Sequence, residues 1–267
     1  MKRQFLIPAG ALFLWAAVAP ARSEPMLPPC APSAEISGVR VVRVEKNGVL
    51  VLEDGRAARL EGLLLPGSGG DRPSQQLAAR SVQALADLTQ GQVAVLASAA
   101  PKEDRYGRLR AQVFVGDSEH WVQREMLVRG LARVSIAPDH RECAKSLYAA
   151  EDEARRSRKG IWAQAGYNVR SADESLQAEA DTFQIVTGKV VSAGVKNGRA
   201  YLDFGPDWQR DFAVTISPLD MKSFREAGVD PQSYEGKTVR VRGWVESLRR
   251  PEIEVAVPED IEVLDTN

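Results

Sequence analysis

The chain has 267 residues, with 35 Lys and Arg against 36 Asp and Glu, and this length allows two domains of ordinary size. Residues 36–164 carry 20 basic and 16 acidic residues, whereas residues 165–267 carry 12 and 18. A mildly basic first half is compatible with a polyanionic ligand, but the acidic second half argues against a nucleic-acid groove across both. The sequence contains no Gly-rich phosphate loop, no serine or cysteine catalytic triad motif and no redox motif.

The first 23 residues have the pattern of an export signal. A basic start is followed by an apolar run from Phe5 to Ala19 and by small residues at the spacing of a cleavage site near Ser23. A membrane anchor is the alternative, but the run is shorter than the roughly 20 residues that a span requires, and Pro8 and Pro20 interrupt it. We therefore expect residues 1–23 to be a signal peptide, residues 24–37 an N-terminal tail, and the mature protein to be periplasmic or secreted, without a membrane span.

Two cysteines are present, Cys30 in the tail and Cys143. In an exported protein, two distant cysteines predict one long-range disulfide, which would tie the tail to the body of the first domain. A buried free thiol at Cys143 with a loose Cys30 is the alternative. Metal binding is not expected, because two cysteines alone do not form a zinc site and His120 and His140 are not at ligand spacing.

Residues 38–164 are predicted to form the first domain. The Asn47-Gly48 and Asp54-Gly55 pairs mark hairpin turns between three strands. A helix over Gln75 to Thr89 follows a Pro73-Ser74 cap, and two further strands come next. The second of these strands begins at Arg108, after the tight turn at Gly107, and helices are expected over Trp121 to Arg129 and Glu142 to Arg158. Five short strands with one helix after the third fit an OB-type barrel.

Residues 165–182 are polar and read as a linker, and residues 183–267 repeat the pattern of the first domain. Alternating apolar residues predict five strands, with a helix near Leu219 to Glu226 between the third and the fourth. The predicted fold is therefore mainly β with α (α+β): two tandem five-stranded OB-type barrels. OB barrels often bind single-stranded nucleic acid, and the aromatics Tyr201, Trp208, Phe212 and Trp244 beside Arg240 and Arg242 would suit that use. Core packing of these aromatics, with a protein-binding or structural role for the second barrel, is the preferred interpretation.

Four sequence blocks in the first domain resemble the staphylococcal nuclease (thermonuclease) family, in the order of that family. They are VLVLEDGRAARLEG at 49–62, DRYGRLRAQVFV at 104–115, MLVRGLARV at 126–134 and LYAAEDEARRSRKGIWA at 147–163. The resemblance implies a barrel nuclease that uses a calcium ion held by aspartates, a glutamate that activates water, and two arginines that stabilise charge on the phosphate. Carried over by position, the two arginines are Arg59 and Arg108.

The metal-ligand and base positions of the family are changed in this chain. The two aspartate positions are occupied by Gly48 and Leu64, and the glutamate position is occupied by Gly67. The resemblance therefore implies that both arginines remain as phosphate-binding groups without a metal site or a general base, and no cofactor is expected. Arg59 and Arg108 have an alternative, purely structural interpretation, in which each pairs with a carboxylate such as Glu61, Glu103 or Asp104.

These observations predict a non-catalytic binding protein of the cell envelope that is related to nucleases. Its expected ligand is nucleic acid or another polyanion at the first barrel, with a protein partner possible at the second. One alternative is a nuclease with a rebuilt Ca²⁺ site, in which Glu45, Glu61 or Asp71 replaces the missing carboxylates. Of these, Glu61 is more simply explained as an exposed partner of a neighbouring arginine. The other alternative is a structural scaffold.

Overall fold

The computed structural model describes residues 27–32, 34–68, 75–116, 120–246 and 249–264. The predicted signal peptide, the Pro73-Ser74 cap and Asp71 lie outside these residues. Within the described ranges, none of the helices has the length and apolar character needed to cross a bilayer.

The first half of the chain alternates short strands with three helices. In chain order these elements are β1 (Ala34–Val44), β2 (Leu50–Leu52), β3 (Ala57–Leu60), β4 (Leu63–Leu64), α1 (Gln75–Thr89), β5 (Val93–Ala97), β6 (Leu109–Val115), β7 (His120–Trp121), α2 (Val122–Val128), β8 (Arg133–Val134) and α3 (Ala144–Arg156). The predicted bounds of α1 are confirmed, because its periodic apolar residues end at the Gly91 turn. Helices α2 and α3 begin and end within one or two residues of their predicted limits.

Five of these strands close into a barrel. Strand β1 pairs antiparallel with β2 and β5, and β6 pairs antiparallel with β5. The ring is closed by a parallel pairing of β3 with β6, in which Arg59 lies opposite Arg110. Alternate residues of the strands point inward, so Ala58 and Leu60 are buried in the core. The closed five-stranded barrel predicted for the first half is confirmed.

The three helices and the N-terminal tail cover the barrel. Leu85 of α1, Met126 of α2 and Leu147 of α3 are fully buried in the same core as the strands. In the tail, Cys30 forms a disulfide with Cys143 at the start of α3, across a Cα–Cα distance of 5.0 Å. The bond joins residues 113 positions apart in sequence, and Leu27 packs against the same core.

The second half forms a separate sheet with one α-helix. Its elements are β9 (Arg170–Ser171), β10 (Phe183–Lys189), β11 (Ser192–Lys196), β12 (Arg199–Asp203), β13 (Ala213–Ile216), α4 (Met221–Glu226), β14 (Thr238–Glu246), β15 (Glu252–Glu254) and β16 (Ile261–Val263). Short 3-10 helices lie at Gly160–Ala163, Ala165–Tyr167, Gln177–Glu179, Pro231–Tyr234 and Pro258–Asp260. Ala172 and Leu176, from the segment predicted as a linker, are buried in the core of this half.

The sheet of the second half runs in the order β11, β12, β13, β15, β14, β10, β9, with β16 paired to β14. Among the described residues its two ends do not pair with each other, so the sheet is not closed. The second closed barrel expected from the sequence is therefore not shown. The reason lies in the first predicted strand, which divides at Val190 and Val191 into β10, paired with β14, and β11, paired with β12.

Helix α3 joins the two halves through a buried polar interface. Arg242 of β14 is 1% exposed and donates to Glu151 over 2.7 Å, and its guanidinium lies 4.1 Å from the ring centroid of Tyr148. Arg133 is also buried, and it donates to the carbonyl of Phe183 over 2.5 Å. Arg242 is therefore not at the surface. It cannot contribute to the nucleic-acid-binding platform of aromatics and arginines that the sequence allowed for the second half.

Candidate functional site

Arg108 is placed by a tight turn that Asp104 organises. One oxygen of Asp104 accepts the backbone N–H groups of Tyr106 and Arg108 over 2.9 and 3.1 Å, and Gly107 adopts φ +70° within the turn. The other oxygen accepts Nε and Nη2 of Arg108 over 2.8 and 2.7 Å. Burial alone would raise the pKa of Asp104, but the hydrogen bonds from Arg108 and Tyr106 hold it below its usual value. Arg108 is therefore a fixed cation whose charge is partly neutralised.

Arg59 is placed beside Arg108 by the parallel pairing of β3 with β6. Its side chain is half-buried, and within the part of the chain that the structure describes its guanidinium has no hydrogen-bond or ion-pair partner. The structural alternative thus holds for Arg108, which pairs with Asp104, whereas Arg59 pairs with none of the described carboxylates Glu61, Glu103 and Asp104. An arginine without a carboxylate partner keeps its full capacity to bind a phosphate or carboxylate.

Both arginines line two neighbouring cavities. The first has a volume of about 440 Å³ and is lined by Arg59 and Arg108 together with leucines of the β4 region. The second, of about 470 Å³, is lined by four arginines, two carboxylates and one tyrosine: Arg59, Arg105, Arg108, Arg110, Glu103, Asp104 and Tyr106. Arg59 and Arg108 therefore form the wall that the two cavities share.

Tyr106 gives the second cavity an exposed aromatic surface. Its ring is 64% exposed, and the guanidinium carbons of Arg105 and Arg108 lie 4.8 and 5.0 Å from its centroid. Stacked guanidinium and aromatic groups of this kind suit both the phosphate and the base of a nucleic acid. This role of Tyr106 was missed from the sequence, although its position between Arg105 and Arg108 was a signal for it.

The three altered positions of the family pattern lie around the first cavity. Gly48, Leu64 and Gly67 all line it, together with both arginines. A side chain cannot be added simply at position 48, because Gly48 has φ +79° and its Cβ would collide with Cδ1 of Leu65. Leu65 therefore fills the space that an aspartate at position 48 would need.

Of the carboxylates considered as replacements, the two that the structure describes, Glu45 and Glu61, do not line this cavity. Glu45 pairs with Arg43 over 3.4 Å, and Asp71 lies outside the described residues. Glu61 was expected to be exposed, but it is 2% exposed and accepts Nε of Arg110 over 2.9 Å. Among the residues described, no group of three or more His, Cys, Asp or Glu could hold a metal ion.

Arg110 links Glu61 to Asp139 below the second cavity. Its two terminal nitrogens each donate to Asp139 over 2.7 Å, which is a bidentate pair. The hydrogen bonds from Arg110 hold the pKa of Asp139 below its usual value. Since two carboxylates neutralise Arg110, it acts as a structural tie between β6 and the segment before α3. Its role was missed from sequence because it depends on residues 29 and 49 positions away.

The first half is thus an OB-type barrel, closed by five strands, in which Arg59 and Arg108 line the same cavity and could bind an anion. A comparison with known protein families narrows the class: residues 57–164 match the family model described as Staphylococcal nuclease homologue. The first domain of this chain is staphylococcal nuclease-like. A search of curated proteins finds no match to the chain.

Proposed function

We propose that the first domain is a non-catalytic binding module for a phosphate-bearing polyanion such as single-stranded nucleic acid. One observation carries the proposal: Arg59 and Arg108 share a cavity with Gly48, Leu64 and Gly67, none of which offers a carboxylate. The site keeps the groups that bind phosphate, and it has apolar side chains or glycines where the family pattern has metal ligands and a base. The second cavity adds Arg105 and the ring of Tyr106, beside the carboxylates Glu103 and Asp104.

Metal-assisted cleavage requires groups that these positions no longer provide. A general base contributes about 100- to 10,000-fold to the rate, and a divalent ion stabilises developing charge by several kcal/mol. Arginines alone bind the phosphate in the ground state and in the transition state, so they give affinity with little acceleration. Binding without turnover follows from this residue set.

The test measures cleavage and binding on the same preparations of the mature protein. A single-stranded DNA is incubated with Ca²⁺, Mg²⁺ or Mn²⁺, with and without EDTA, and its binding is followed by fluorescence anisotropy at two salt concentrations. We expect no cleavage that EDTA abolishes, and we expect salt-sensitive binding that Arg59→Gln weakens about tenfold while lowering the salt slope by about one.

The matched control is Arg43→Gln, which removes the same charge from an exposed arginine that pairs with Glu45 and does not line either cavity. EDTA-sensitive cleavage that is lost in Arg108→Ala would show a rebuilt nuclease site. Equal binding by Arg59→Gln and Arg43→Gln would show that the cleft is not the binding site, and a scaffold role would then be the better explanation.

We further propose that the mature protein acts outside the cytoplasm. The Cys30–Cys143 disulfide is compatible with this location, because such bonds persist in oxidising compartments. Fractionation of cells that produce the full-length chain tests it. Recovery of the shortened, oxidised protein in the periplasm or medium is expected, and an uncleaved cytoplasmic form would refute it.

We propose that the second half is also an OB-type barrel, with a protein partner. In both halves the third strand of the pattern pairs in parallel with the fifth, as β13 does with β15 and β3 does with β6. The link between β10 and β11 keeps hydrogen bonds to both sides, because Val190 N–H donates to Lys237 and Val191 N–H to Asp203. Slow amide exchange at Val190 and Val191, comparable with β14, would support one continuous bent strand; fast exchange at both would refute it.

A further inference from the structure

Two chemically different groups of residues line the first cavity. One group is Arg59 and Arg108, named here the cationic wall, and the other is Leu63, Leu64 and Leu65, named the leucine wall. Leu63 and Leu65 belong to or pack against the barrel core, whereas Leu64 is half-buried and is not among the residues packed on that core. The side chain of Leu64 is therefore available to a molecule in the cavity.

The two arginines that line the first cavity differ in their ion pairing. Arg108 pairs with Asp104, whereas Arg59 has no ion-pair partner among the described residues and lies opposite Arg110 in the strand register. Arg110 itself pairs with Glu61 and Asp139, and Glu103 and Arg105 line the second cavity beside Arg59. A single anionic group placed between Arg59 and Arg108 would give the Arg59 guanidinium a partner.

The volume of the cavity, about 440 Å³, is within the range of small-molecule sites. Inorganic phosphate would pair with Arg59 but would leave the leucine wall exposed to water. A neutral apolar molecule would cover the leucines but would leave Arg59 without a partner. A divalent cation does not suit the cavity, since the residues described there offer two guanidinium groups and no carboxylate.

We propose that this cavity binds a small amphiphilic anion, a compact phosphate or carboxylate head on an apolar chain, with the head on Arg59 and Arg108 and the chain on Leu63 and Leu64. The inference rests on the proposed function, because it uses the same two arginines, and it names the ligand class of the first cavity. The polyanion surface of the second cavity, around Tyr106, is separate from the leucine wall.

The test uses hexyl phosphate, inorganic phosphate and 1-hexanol as probes in calorimetric titrations of the mature protein, below the concentration at which micelles form. Each buried methylene is worth about a factor of four in affinity. Hexyl phosphate is therefore expected to bind at least about tenfold more tightly than either inorganic phosphate or 1-hexanol, which isolate the head and the chain.

Three variants measure the contributions of the cationic wall and the leucine wall to binding separately. Arg59→Gln should weaken hexyl phosphate and inorganic phosphate alike, by about tenfold or more. Leu64→Asn should weaken hexyl phosphate several-fold and leave inorganic phosphate unchanged, whereas Leu64→Met, which keeps the apolar contact, should bind like the unsubstituted protein. Arg43→Gln is the charge-matched control and should change nothing. Circular dichroism melts of all variants show whether each is folded.

Equal affinity for hexyl phosphate and inorganic phosphate, or unchanged binding of hexyl phosphate by folded Leu64→Asn, would overturn the inference. If single-stranded DNA still binds in a manner that depends on Arg59, the proposed function stands and only the ligand class of the first cavity is wrong. If neither DNA nor hexyl phosphate binding depends on Arg59, both proposals fail.

Discussion

The ion pair between Arg242 and Glu151 provides a quantitative test of what holds the two halves together. Arg242 donates to Glu151 over 2.7 Å and to Glu262 over 2.6 Å, and the side chains of Arg242 and Glu151 are 1% and 0% exposed. Burial alone would lower the pKa of Arg242, but the Glu151 carboxylate and the other groups around it raise it above its usual value. The substitution Arg242→Met keeps much of the side-chain volume and removes the charge.

The expected cost is dominated by the charge left behind on Glu151. Glu262 keeps a partner in Arg240, at 3.1 Å, and is partly exposed, so it contributes little to the cost. Glu151 becomes a buried carboxylate without a cation, although its other oxygen still accepts the backbone N–H of Val134 over 2.7 Å. Removing one partner of a buried ion pair typically costs about 3 to 5 kcal/mol. The double variant Arg242→Met/Glu151→Gln leaves no buried charge and should recover at least about half of that loss.

Urea unfolding followed by tryptophan fluorescence measures these free energies, with the variants compared at one pH. The control is Arg199→Met, which removes an arginine from an exposed pair with Glu254 and should cost about 0 to 1 kcal/mol. A loss below about 1 kcal/mol for Arg242→Met would refute the buried-charge argument. So would a double variant whose loss equals the sum of the two single losses, because uncoupled residues do not form an ion pair.

Three further predictions follow from the same geometry. Burial raises the pKa of Asp260 to about 7, so the folded protein holds a proton that the unfolded chain releases above about pH 4. Stability should therefore fall as the pH rises from about 4 to 7, and Asp260→Asn should flatten that slope in urea midpoints; a slope unchanged by the substitution would contradict it. Replacing Cys30 and Cys143 together by alanine should lower the free energy of unfolding by about 3 to 5 kcal/mol, since the bond closes a long loop, and an unchanged urea midpoint would contradict this. Gly48→Asp should lower the melting temperature without creating Ca²⁺ binding, because a side chain there is strained and meets Leu65; Ca²⁺-dependent stabilisation of the variant would contradict this reading.

Local sequence signals correctly predicted those elements of the first half that are formed by residues close together in the chain. The Asn47-Gly48 and Asp54-Gly55 turns and the periodicity of α1 depend on residues close in the chain, and these elements form as expected. The family pattern also placed Arg59 and Arg108 together, and the structure puts both in one cavity.

The errors concern contacts between distant segments. Glu61 was expected to be an exposed partner of a neighbouring arginine, but β3 ends at Leu60, and Glu61 is buried and meets Arg110 across the parallel ladder. Arg242 alternates correctly within β14, yet its outward face is covered by α3, which is 91 residues away at Glu151. Alternation identifies the face of a strand and contains no information about what covers that face.

Contacts between distant segments also decide which arginine of the site is structural and which could bind a ligand. The sequence alone could not show this. Arg59 and Arg110 are paired in the β3–β6 register, and Arg108 directly precedes β6. Only the folded chain shows that carboxylates neutralise Arg108 and Arg110 and leave Arg59 without a partner among the described residues. A half-buried cation without a counterion lowers stability unless something else balances its charge. The Arg59 guanidinium has no ion-pair partner among the described residues and lines the same cavity as the leucines of β4, so it is the feature of the described barrel that a ligand would explain.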